Sequence, residues 1–108
     1  MHNPCVVTHL VSLRASAGNS ALLGARLNTL VETASNAPGS LNFALHKSMT
    51  EESVWLVSGM WVDASAMNDW FTSPELGIFA ELVAERLVSS LDFRTFANVT
   101  TAQARTAQ

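Results

Sequence analysis

Charge is scarce in this sequence. Only 14% of its 108 residues are Asp, Glu, Lys or Arg, against about 25% in an ordinary domain. Six basic residues are scattered among nine acidic ones, for a net charge of −3. The concentrated basic patch that nucleic-acid binding requires is missing. Cysteine is reduced to Cys5, which excludes an internal disulfide and a cysteine-rich zinc site. The three histidines fall on separate predicted elements rather than at metal-ligand spacing. No apolar run approaches the ~18 residues of a membrane span, and "MHNPCVVTHL" is not a basic leader followed by a long apolar core. A GxGxxG fingerprint, a P-loop and an HExxH motif are absent as well. The simplest account is a soluble cytoplasmic protein with no nucleic-acid or membrane partner, no metal and no organic cofactor.

What the chain does have is apolar mass. Hydrophobic residues make up 48% of it, although folding at this size hides only about two-thirds of the unfolded surface. The surplus points to an oligomer interface, a substrate pocket, or both. "CVVTHLVSLR" is short and β-branched, a strand with Val7, His9, Val11 and Leu13 on one face and Thr8, Ser12 and Arg14 on the other. Asn19 or Ser20 is placed to cap a helix whose stripe is Leu23, Leu27, Leu30, Val31 and Ala34, ending at Pro38-Gly39. "SLNFALHKS" sets Leu41, Phe43 and Leu45 against Asn42, Ala44 and His46, and "VWLVSGMWV" returns as the second arm of a hairpin. Asp63 can cap a short helix with Met67, Trp70 and Phe71 on one side. Ser73-Pro74-Glu75 reads as a further helix start: a capping hydroxyl, a proline in the first turn, a carboxylate facing the dipole. Its predicted buried stripe is Leu76, Phe79, Ala80, Val83 and Leu87. "LDFRTFANV" closes the chain as a strand, with Leu91, Phe93 and Thr95 opposite Asp92, Arg94 and Phe96.

The order strand, helix, strand, strand, helix, strand predicts an α+β fold. It is the ferredoxin-like split βαβ unit, an antiparallel sheet with helices on one face. The domain is expected to span residues 4–98, with 99–108 a C-terminal tail that is mobile or lies on a partner. Neither strand face is consistently charged, so the open sheet face is expected to meet a second copy. The result would be a C2 homodimer built as a dimeric α+β barrel.

From roughly Val6 to Phe96 the chain resembles the antibiotic biosynthesis monooxygenase family. The resemblance is carried by "VVTHLVSL", "APGSLNFALHKS", "WLVSGMWVDASAM" and "WFTSPELGIFAELVAERL", in that order and spacing. It implies a small oxygenase without flavin, metal or haem, which oxidises electron-rich aromatics such as quinols or polyketide anthrones with molecular oxygen. The chemistry has its own logic. Triplet oxygen reacts slowly with closed-shell organics, but a phenolate or enolate can give it one electron. The protein then needs a shielded apolar pocket, an aromatic wall, and a group that removes or shares a proton. The chain also departs from the family. Many members carry histidines where Trp70 and Glu75 stand here, and some polyketide-oxidising members have an asparagine at the place of Ala66. The haem-degrading branch has a proximal histidine where this chain reads Phe79-Ala80, which argues against haem degradation.

Each candidate has a plain reading beside the functional one. Trp70, with Met67 and Phe71, is either core or the wall of a substrate pocket, and Phe79 on the next helix shares that choice. Trp61 shares a strand face with Trp55 and Val57 and reads as core or dimer packing before pocket lining. His9 sits among Val7, Val11 and Leu13, where an imidazole must find a hydrogen bond or bear the cost of desolvation. It is the candidate catalytic residue, because a neutral imidazole can accept a phenolic proton. Glu75 reads as helix-start electrostatics. A non-oxidative isomerase acting on a small carbonyl metabolite, or a non-catalytic ligand-binding dimer, would use the same fold.

Overall fold

Alternation in the first strand sets the frame. A computed structural model of the chain describes residues 5–99; residue 4 and residues 100–108, which hold most of the expected tail, lie outside them. Strand β1 (Val7–Ala15) buries Val7, His9, Val11, Leu13 and Ala15, and leaves the residues between them half-buried or exposed. It is central in a four-stranded antiparallel sheet of order β2-β3-β1-β4, with β2 Ser40–Lys47, β3 Val54–Trp61 and β4 Val88–Ala97. Helices α1 (Ser20–Ala34), α2 (Ala64–Phe71) and α3 (Gly77–Ala84) pack against this sheet. The architecture is the expected α+β ferredoxin-like fold.

Helix α1 buries Leu23, Leu27, Leu30 and Ala34 as the stripe requires, with Val31 half-buried. Gly24 is buried too, because the Trp55 ring lies against it where a Cβ would otherwise stand. Neither Asn19 nor Ser20 caps the helix with its side chain. The Ser20 hydroxyl instead donates to the Glu52 carbonyl (2.7 Å) and accepts from Trp55 Nε1 (3.0 Å). A tertiary partner has displaced the local one. Asp63 behaves as the sequence implies, its Oδ1 accepting from the Ala66 N–H at 2.9 Å and starting α2.

Two predicted stripes shift. Leu41 is exposed because the β2–β3 register slips between Ser40 and Asn42, and the pairing resumes at Asn42. An extra residue there turns its side chain out of sequence with Phe43 and Leu45. After α2, Ser73-Pro74-Glu75 opens a 3-10 turn (Pro74–Leu76) rather than an α-helix, and α3 starts only at Gly77. The Ser73 hydroxyl donates back to the Trp70 carbonyl (2.7 Å) instead of capping. Three residues per turn rather than 3.6 shift the phase of α3. The helix therefore buries Phe79 and Leu82, while Ala80 and Val83 are exposed. Leu87 is buried as expected, beyond the helix end.

Candidate functional site

His9 lies at the middle of the inner sheet face, and the register explains what surrounds it. β1 pairs His9 with Gly59 of β3, and β2 pairs Phe43 with the same glycine. A Cβ on Gly59 would run into Cε1 and Nδ1 of His9 and into Cζ of Phe43. The imidazole thus lies over a position that only glycine leaves empty. Two residues along β3, the Trp61 indole N–H donates to His9 Nδ1 at 2.9 Å. From above, α2 lays Trp70 on the imidazole, with ring centres 5.2 Å apart and planes 20° from parallel. Phe43 and Phe71 meet its edges, each at 5.4 Å.

The structure brings four of the expected residues, His9, Trp61, Trp70 and Phe71, into one ring cluster. Phe79 joins at one remove: it packs on Phe93 (5.2 Å), which meets Phe71 edge-on (6.2 Å). Met67 is buried in the same core on the inner side of α2. Periodicity alone does not single out Phe43 or Gly59 as site residues. The signal that reveals them is the strand register, which sets both opposite His9.

Electrostatically the centre is His9. It is wholly buried, and burial lowers its pKa from 6.5 to about 4, so the ring is neutral at physiological pH. An indole N–H only donates, so Nδ1 must be the acceptor and the neutral ring carries its proton on Nε2. That Nε2 is the one buried side-chain nitrogen or oxygen among the described residues with no hydrogen-bond partner. The acceptor role expected of His9 does not fit this arrangement, since the one lone pair of the neutral ring is already engaged.

Beside the cluster lies a cavity of about 320 Å³, at the small end for ligand pockets (~300–1,000 Å³). Trp70, Asp69, Ser73 and Glu75 line it on one side, Asn36 and Pro38 on the other. Glu75 is half-buried there, with Oε1 3.4 Å from Trp70 Nε1, which gives it a place in the site beyond helix-start electrostatics. Trp70 belongs to both the ring cluster and this cavity wall, whereas His9 is not among the lining residues. A second cavity of about 250 Å³ shares Thr33 and Glu75 and continues along α1 to Arg26. Among the described residues, no group of three or more His, Cys, Asp or Glu is placed to hold a metal, and no helix is long and apolar enough to cross a membrane.

No curated protein matches the chain. Among solved structures, PA3566 from Pseudomonas aeruginosa aligns with a TM-score of 0.81 at 18% identity, covering 93% of this chain and all (100%) of that one. A candidate antibiotic biosynthesis monooxygenase from Deinococcus radiodurans aligns with a TM-score of 0.82 at 18% identity, over 94% and 99% of the two chains. SnoaB from Streptomyces nogalater, described as a cofactor-independent oxygenase and solved as an asparagine-to-alanine variant, gives 0.77 at 18% identity, over 89% and 95%. At such identities these likenesses speak for the fold. The family profile of antibiotic biosynthesis monooxygenases matches residues 6–82, from β1 into α3 and across the whole ring cluster except Phe93, and the chain belongs to that family.

Proposed function

We propose that the protein is a cofactor-independent monooxygenase that oxidises a small electron-rich aromatic, of the quinol or polyketide type, with molecular oxygen. The observation that carries this reading is His9 Nε2, a buried N–H without a partner, set among aromatic rings beside a cavity sized for a small ring system. A buried polar group left unpaired is costly unless a ligand completes it. Trp70 is the wall against which the substrate ring docks, and because it covers the imidazole it has to swing aside for the ring to reach Nε2. Phe71, Trp61, Met67 and Phe79 keep the surroundings of His9 and Trp70 apolar and closed to water. Family membership and the structural likeness to SnoaB support the reading.

The proposed reaction balances without a protein-bound redox group. The substrate anion passes one electron to oxygen, giving a substrate radical and superoxide. Their recombination forms a carbon–oxygen bond, and the resulting peroxide takes up a proton. Its O–O bond then breaks as the same carbon loses its hydrogen, leaving a carbonyl and one water. The enzyme contributes orientation, exclusion of water and a hydrogen bond to the developing charge. The reading includes a homodimer formed through the open sheet face. Oxygen uptake by the purified protein with a panel of quinols and anthrones tests the activity. Turnover of at least one of them, lost in His9→Ala, is the expected result. Tight binding without oxygen uptake across the panel would defeat it.

A further inference from the structure

We propose that His9, its tautomer set by Trp61 and its ring seated over Gly59, is a hydrogen-bond donor to an oxyanion, so that the site takes its aromatic ligand as a phenolate or enolate that has already lost its proton. The inference rests on the substrate site proposed above and deepens it by naming the ionic form of the substrate and two positioning residues. Three observations converge. The Trp61 N–H occupies Nδ1 at 2.9 Å, and turning the ring over would set a carbon against that donor. Gly59 leaves just enough room for Cε1 and Nδ1, so the ring is held in place from below as well. What remains is Nε2–H, closed from solvent and without an acceptor.

The surroundings offer no other destination for a proton. Against His9 stand Phe43 from β2, Gly59 and Trp61 from β3, and Trp70 and Phe71 from α2, with Thr95 as its register neighbour on β4. None of these titrates in the physiological range. Among the described residues, the one carboxylate linked to the cluster is Glu75, which reaches it through the Trp70 N–H. The lowered pKa of His9 accordingly has burial as its sole cause, with no charged neighbour contributing. A neutral donor in such a place favours an anionic acceptor, because a hydrogen bond to a charged oxygen is about twice as strong as one between neutral groups. A neutral phenol would also bring an O–H that finds no acceptor on His9. The ring selects the anion; it does not make it.

The test uses nitrophenols, which are too electron-poor to be oxidised readily, chosen to ionise at different pH values. Their binding is followed by absorbance across a pH series. For each phenol the affinity should rise at that phenol's own ionisation, with the anion preferred by about tenfold or more. A rise at one fixed pH for every phenol would mean that a protein group takes the proton, and would overturn the proposal. Nitrogen-15 NMR of the unliganded protein should show His9 protonated on Nε2; protonation on Nδ1 would overturn it equally. Trp61→Phe should mix the tautomers and collapse the preference for the anion, and retention of the full preference counts against Trp61 as a positioning residue. Should that variant fail to fold, the phenol series and the NMR spectrum of the unmodified protein decide alone. If no phenol binds in either form, the ligand class proposed here falls, whereas the monooxygenase reading is judged separately by oxygen uptake.

Discussion

Between about pH 4 and 6.5, unfolding at His9 takes up a proton from solution: the buried ring stays neutral while the exposed one is charged. The unfolded chain binds more protons in that window, so the contribution of His9 to stability is fully present above pH 6.5 and is lost as pH falls through about 4. Its size is roughly 3 kcal/mol. Denaturant melts of the wild type and of His9→Gln, which cannot ionise, should show a stability difference that shrinks on acidification across this range; a constant difference would refute the assignment. Gly59→Ala is a second test of the same spot. Its new methyl meets the imidazole, and the expected cost is ~1–3 kcal/mol, with the His9 NMR resonances displaced. Gly77→Ala is the control, since nothing lies within 4 Å of its missing Cβ and the backbone φ is −58°; it should be neutral or slightly stabilising. The burial of His9 and Trp70 is legible in period-two and helical spacing. The roles of Phe43 and Gly59 are not, because they depend on which strands pair and in what register, a relation among residues far apart in sequence.

The elements divide into those whose ends are set locally and those decided by a distant partner. Asp63 is the local case, and Asp63→Ala should cost ~1 kcal/mol in a thermal or chemical melt. Because α2 carries Trp70, the same change should loosen the stack on His9, read as a shift in Trp fluorescence. Ser20 and Ser73 look like caps in the sequence and are not. Trp55 and Glu52 claim the first hydroxyl, and the Trp70 carbonyl claims the second. A serine advertises a hydroxyl without saying where it will be used. The stripe of α3 departs from its sequence pattern for a related reason: proline announces a helical start, but nothing in its identity distinguishes a 3-10 turn from an α-turn. Leu82 consequently occupies the buried place expected of Val83. The strands keep to their alternation more faithfully, apart from two slips at strand ends where an additional residue can be absorbed: beside Leu41 in β2, and where β4 passes from Ser90 opposite Arg14 to Val88 opposite Ala15.

For the whole molecule, the sheet has one face under its helices and another that carries Leu10, Leu56, Met60 and Phe96, the last 47% exposed. If this face meets a second copy as proposed, light scattering should report a dimer, and Phe96→Lys should shift it toward monomer while far-UV circular dichroism stays unchanged. A monomer in the unmodified protein would refute this. The ferredoxin-like fold was legible from the succession of elements, since few connections satisfy the handedness rule, and the structure gives its strand order as β2-β3-β1-β4. That order has one more consequence. The start of β1 and the end of β4 lie side by side: Val7 pairs with Ala97, and the Asn98 N–H donates to the Val6 carbonyl at 2.8 Å. A force that draws positions 6 and 98 apart therefore acts across the β1–β4 ladder at one end, and its hydrogen bonds give way singly, like the teeth of a zipper, rather than sharing the load in shear. Tethered at those two positions in a single-molecule instrument, the protein should yield at low force. Tethered instead at positions 15 and 98, where the strands must slide along each other before they part, it should hold to a markedly higher one.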